Sequence, residues 1–143
     1  MPFEFLEDVA IADIAFAAWG ESIAEVFRSA ADAAMNVMVE DLDSVAPVES
    51  RAVGAEGESL EMLLFDLIQE QIYLKDAERL LTRVATIDLH PSGTGYRLEA
   101  GLAGEKIDPG RHRLRVDVKA VVLHGLSFGR TARGWEASVT LDI

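Results

Sequence analysis

The segment Trp135–Ile143, WEASVTLDI, alternates with a period of two. Trp135, Ala137, Val139, Leu141 and Ile143 fall on one side; Glu136, Ser138, Thr140 and Asp142 fall on the other. Successive side chains of an extended chain point to opposite faces, so this is a strand with one apolar, core-facing side. Its acidic end stands out. Asp142 and the terminal carboxylate at Ile143 lie almost together in a chain of formal net charge −12.

Working back from that strand, LSFGR (126–130), RLRVDVKAVVLH (113–124), GYRLEAGLAG (95–104) and RVATIDLH (83–90) also read as strands, joined by turns rich in Gly or containing Pro. Two segments break this run with a helical period. In residues 23–41, Ile23, Val26, Phe27, Ala30, Ala34, Val37 and Met38 form one stripe, and Ser22 with Glu25 makes a capping box before it. In the second helix, capped at Ser59, the stripe is Leu60, Leu63, Leu64, Leu67, Ile68 and Ile72. FEFL (3–6), IADIAFAAW (11–19) and SRAVGAEG (50–57) supply further strands. Two helices among mostly antiparallel strands predict an α+β fold with the helices covering a sheet face. With 143 residues, half of them hydrophobic, the chain is expected to form a single domain over 1–143.

Composition narrows the function. Without cysteine there is no disulfide, thiolate metal site or cysteine nucleophile, which fits a cytoplasmic address. No apolar run has membrane-spanning length, and MPFEFLEDVA lacks the basic-then-apolar pattern of a signal peptide, so no membrane partner is expected. With 25 acidic against 13 basic residues, binding driven by phosphate neutralisation is disfavoured, and no direct sequence-specific nucleic-acid binding is expected. GLSFG (125–129) has the spacing of a nucleophile elbow, but that motif needs a helix after the serine, and a turn and strand follow here. His90, His112 and His124 are too scattered for a zinc site. DLD at 41–43 fails as a calcium-loop start because Ala46 and Ala52 occupy the glycine and glutamate places. Nucleotide-binding glycine motifs are absent.

Three aspartates carry more information. Asp13 lies in an otherwise apolar strand, Asp41 ends the first helix where the dipole disfavours an anion, and Asp142 ends the last strand. Two carboxylates about 4 Å apart repel by about 1–4 kcal/mol. If the three converge, a cation should hold them, and oxygen-only donors point to Ca²⁺, Mg²⁺ or Mn²⁺. The one basic patch is RHRLRVDVK (111–119). Strand alternation places Arg113, Arg115, Asp117 and Lys119 on one face, either as a solvated surface with local ion pairs or as a docking face for an acidic partner or an RNA-bound protein.

DPGRHRLRVDVKAVVLHGL (108–126), with its lysine-alanine-valine run and following His124, together with the terminal LDI, resembles the archease family. The likeness extends through FEFLED and IADIAFAAWGESIAEVFRSAADAAMNVMVEDLDSVAP to SLEMLLFDLIQEQIYLKDAE, nearly end to end. The resemblance implies a two-layer sandwich fold and a non-enzymatic accessory protein for the RtcB-type RNA ligase, promoting its guanylylation and multiple turnover in tRNA splicing and RNA repair. It also implies a divalent-metal site, calcium foremost, at Asp13, Asp41, Asp142 and the terminal carboxylate of Ile143, with Lys119 and His124 as further site or partner-contact residues. One departure is plain. Where the family reads Glu-His-Thr-Ala-Asp, this chain reads EDVAIAD; His and Thr are missing and the segment is two residues longer, leaving Asp8 either as an extra acid near the site or as a replacement for the missing His. Two other function classes stand against this one: a chaperone-like adaptor without a metal role, and a small metal-dependent hydrolase, which lacks a base spaced to serve a nucleophile.

Overall fold

The computed structural model describes residues 2–6 and 13–143. In chain order the elements are β1 (Phe3–Leu6), β2 (Asp13–Gly20), α1 (Ile23–Met38), a 3₁₀ turn (Leu42–Ser44), β3 (Glu49–Gly57), α2 (Leu60–Glu78), β4 (Leu80–Ser92), β5 (Gly95–Lys106), β6 (Ala120–Thr131) and β7 (Gly134–Asp142). Asp8 lies outside the described residues.

The strands divide into two sheets, one ordered β1-β2-β7-β6 and the other β3-β5-β4. Every pairing between named strands is antiparallel. The α+β class therefore stands, with two helices and two sheets. α1 packs on β2 and β7 of the first sheet and on β4 of the second. A helix gripped on two sides must be apolar nearly all round. Accordingly Val26, Phe27, Ala30, Ala31, Ala33, Ala34 and Met35 have no exposed surface. The alanines keep that helix slim, so both sheets can close on it.

The caps follow the sequence. Ser22 Oγ accepts the Glu25 N–H at 3.2 Å, while Glu25 Oε2 accepts from the Glu21 N–H at 2.8 Å, one residue before the position a reciprocal box would use. Ser59 Oγ accepts from the Met62 N–H at 3.2 Å. α2 covers an edge as well as a face. Gln69 Oε1 accepts the Val121 N–H at 2.8 Å, satisfying a donor on the outer side of edge strand β6.

Three boundaries differ from the sequence reading. α1 stops at Met38, not at 41, because Val39 turns extended (φ −132°, ψ 132°) and forms an isolated bridge with Leu114. The run 113–124 is not one sheet strand. Its first part pairs with the exit of α1, where Arg115 N–H bonds Met38 O and Arg113 O accepts from Glu40 N–H, each at 2.9 Å. β6 begins only at Ala120, then continues through LSFGR as one strand, its register shifting between Val122 and Ser127. Gly125, at φ +82°, sits inside that irregular stretch.

The last hairpin turns at Gly134, whose φ is +99° and where a side-chain carbon would meet Gly20 O at 2.6 Å. Only glycine tolerates both conditions. That turn sets the register of β7, in which Gly20 faces Trp135 and Asp13 faces Asp142.

Candidate functional site

β2 and β7 are the two inner strands of their sheet, and their register puts Asp13 directly opposite Asp142. Opposed residues of an antiparallel pair send their side chains to the same face, with Cβ atoms about 4.5–5.5 Å apart. Both residues are half-buried. The local sequence explains the pairing. Ile14, Phe16 and Ala18 on β2 match Leu141, Val139 and Ala137 on β7, and of these six only Ile14 is not fully buried. A one-residue slip would expose that whole set. Packing of the apolar face thus forces the two carboxylates together at the open end.

Asp142 also faces Ala120 on β6, and its carbonyl accepts the Lys119 N–H at 2.8 Å. Lys119 is exposed. Ile143 is half-buried and packs against the core, so the end of the chain is anchored. Beside Asp13 lies a recess of about 290 Å³, lined also by Phe5, Leu6, Ile14, Val37 and Arg115. Val37 brings the last turn of α1 to its wall.

Asp41 is placed differently from the expectation that it ends α1. It caps the 3₁₀ turn, with Oδ1 accepting from the Asp43 N–H at 3.0 Å, and its side chain is exposed. The unfavourable helix-dipole position therefore disappears. Among the described residues there is no cluster of three or more His, Cys, Asp or Glu side chains suited to one metal ion. The structure unites Asp13 with Asp142; it does not gather Asp41 into such a cluster with them. His124 is exposed within the irregular stretch of β6. GLSFG lies inside that strand, with no helix after Ser127, so no nucleophile elbow forms.

The basic run does not form a single charged face. Arg113 pairs with Glu40 at 3.4 Å, and Arg115 Nη1 donates to Asn36 O at 3.2 Å. Asp117 pairs with Lys75, which also donates to Val118 O at 2.7 Å and pairs with Asp76 at 2.7 Å. Lys119 makes no side-chain ion pair or hydrogen bond among the described residues.

A second polar cluster escaped the sequence reading. His112 is buried, and its Nε2 lies 2.8 Å from Glu105 Oε1. Glu105 also pairs with Arg111 and accepts the Ala46 N–H at 2.9 Å. The Ala46 N–H, with Arg111 and His112, holds the Glu105 carboxyl down at about 2 against the opposing effect of burial. Only the spacing of Arg111 and His112 from Glu105 hinted at it; the Ala46 and Ser44 backbone partners, distant in sequence, did not.

The sequence profile of the archease protein family matches residues 3–143. Among curated proteins, protein archease of Pyrococcus abyssi is 35% identical over 133 residues, covering 92% of this chain and 93% of its own. Protein archease of Methanosarcina mazei is 34% identical over 142 residues, covering 99% and 95%. The solution structure of Methanobacterium thermoautotrophicum protein 1598 superposes with a TM-score of 0.84 at 33% identity, covering 99% of both chains. A crystal structure from Thermotoga maritima, described as an archease and "possible chaperone", shares the fold at 18% identity with a TM-score of 0.64, covering 98% of both chains. A match that runs through both sheets and both helices, from β1 to the end of β7, makes the chain a member of the archease family.

Proposed function

We propose that this protein is a non-enzymatic accessory factor that activates an RtcB-type RNA ligase, acting in the cytoplasm as one domain with a divalent cation. The observation that carries this reading is the opposition of Asp13 and Asp142 across β2 and β7. Two carboxylates at one position of a ladder repel, and like charges directly opposite destabilise a sheet. A cation there would turn that cost into affinity.

The donor set fits a hard ion. Asp13 and Asp142 offer carboxylate oxygens, the main chain at Ile143 offers another, and Asp41 presents an exposed carboxylate on the turn after α1. Calcium accepts six to eight oxygens in flexible geometry, which suits such a set best; Mg²⁺ and Mn²⁺ are the other hard-ion choices. When bound, the ion would supply positive charge that stabilises the partner's guanylylation. The protein's own residues hold the carboxylates in register, exclude water from the apolar side of β7 and present Lys119 beside the acidic end. Among the described residues the three aspartates are not gathered into one cluster, which leaves one other reading, an adaptor of chaperone type with no metal role.

Calorimetric titration with Ca²⁺ or Mn²⁺ tests the cation. Asp142→Ala is expected to lose most of the affinity and keep the wild-type circular dichroism spectrum; unchanged affinity removes the metal from the proposal. The ligase is tested separately, by measuring its guanylylation with wild type and with Lys119→Ala. Lys119 is exposed, so its loss should leave folding within about 0.5 kcal/mol of wild type. Stimulation is expected to fall, and to weaken in wild type as salt rises. A wild-type chain that fails to stimulate any RtcB-type ligase overturns the partner assignment.

A further inference from the structure

We infer that Glu105, His112 and Arg111 are positioning residues for Asp41, gripping the turn that carries it at Ser44 and Ala46. The inference rests on the reading of Asp41 as a cation ligand.

The geometry runs from the buried cluster outward. Asp41 O accepts from the Ser44 N–H at 3.1 Å and from Ser44 Oγ at 2.6 Å. Ser44 is therefore bound to Asp41 twice. The Ser44 carbonyl is held in turn by Arg111 Nη1 at 3.1 Å and by His112 Nε2 at 3.2 Å. Two residues on, the Ala46 N–H donates to Glu105 Oε1 at 2.9 Å. The turn is thus pinned on both sides of Val45, itself buried.

His112 is set in one tautomer. Its Nδ1 accepts the Asp108 N–H at 2.9 Å, so the ring proton is on Nε2. There it faces two acceptors, Ser44 O and Glu105 Oε1. The ring is fully used, as a buried polar group must be to avoid a desolvation cost. The carboxylate at the far end of this chain of bonds is also held. Asp41 Oδ1 takes the Asp43 N–H, and Oδ2 accepts no hydrogen bond among the described residues. One oxygen is fixed and the other is offered outward. The three residues come from the end of β5 and the turn after it, far in sequence from Asp41, which a turn held only by its own capping bonds would not need.

The test uses two substitutions that divide the ring's roles. The amide nitrogen of glutamine reaches the place of Nε2; that of asparagine reaches only Nδ1. The full-length protein, without any ligase, is examined by backbone hydrogen exchange at residues 43–46 and by calorimetric titration with Ca²⁺. His112→Asn is expected to speed exchange at Ser44 and Ala46 by about tenfold, the scale of one lost buried hydrogen bond. Its Ca²⁺ affinity should fall to that of Asp41→Ala, and His112→Gln should restore both readings. Arg111→Ala, at a side chain about half exposed, leaves folding safe and should give the same changes at smaller size. Unchanged exchange in His112→Asn and Arg111→Ala overturns the clamp. Faster exchange with wild-type Ca²⁺ affinity, where Asp41→Ala does lose affinity, overturns the positioning role. If Asp41→Ala itself keeps full affinity, the cation role of Asp41 fails, and with it the purpose assigned to the clamp, while exchange still decides whether the clamp exists.

Discussion

Asp13 and Asp142 are cross-strand partners at the same end of the two inner strands, β2 and β7, each half-buried and each next to the apolar Ile14–Leu141 rung. Their opposition is imposed by packing elsewhere on the same strands, so any repulsion between the two carboxylates is carried by the folded state.

Asp142→Asn keeps the side-chain size and removes one charge. In chelator and low salt it should raise stability, by up to about 1 kcal/mol, the range measured for cross-strand pairs. The gain should shrink at high salt as the carboxylates are screened. Urea unfolding in both buffers measures it. A variant less stable than wild type in chelator would show that the two carboxylates do not oppose each other in solution.

Gln69→Met should destabilise the protein by about 1–3 kcal/mol, since it leaves the Val121 N–H without its acceptor where α2 covers β6. Gln69→Glu keeps an acceptor and should cost less. The same loss reopens an edge strand, so Gln69→Met should also aggregate more readily on refolding. Light scattering during dilution from urea reads this directly.

The Glu105 carboxyl titrates at about 2 in the folded protein and near 4.5 when unfolded, lowered first by the Ala46 N–H and then by Arg111 and His112. A depressed carboxyl stabilises the fold above its unfolded value and ceases to do so as the pH falls toward its folded value. Stability should therefore decline between about pH 4.5 and pH 2. Glu78 and Glu136, lowered by Arg51 and Arg133, act in the same direction, losing their contribution as the pH falls below their ordinary range. Glu105→Gln should flatten part of that slope, checked by urea midpoints across the range; an unchanged slope would place Glu105 outside the acid transition.

The period of two in WEASVTLDI and of 3.6 in the two helices made the element order legible, because each of these segments buries one regular face. Ser22 and Ser59 marked both helix starts for the same local reason. Boundaries set by distant partners were not legible. Val39 leaves α1 to bridge Leu114, and Lys75 captures Asp117, which a strand reading would have aimed alongside Lys119. The candidate site shows the same division. Asp13 and Asp142 met because both sit on strands with clear periods, whereas Asp41 sits on a turn whose position depends on Glu105 and His112, contacts that no local pattern encodes. The resemblance to archeases supplied what periodicity lacked, the expectation that these particular acids belong together.

The strand order β1-β2-β7-β6 has a temporal consequence. The second sheet, β3-β5-β4, is built from strands that emerge within one central stretch of the chain, and it can assemble on α2 early. β2 emerges before both helices and then lacks an inner partner until β7, after all the other elements. Contacts of such separation close slowly. During translation α1 can rest on the β1-β2 pair and on the second sheet, while the β7 part of the first sheet is still missing. The Asp13–Asp142 pair is thus among the last contacts of this fold to form, and the carboxylate site comes into being only once β7 has emerged.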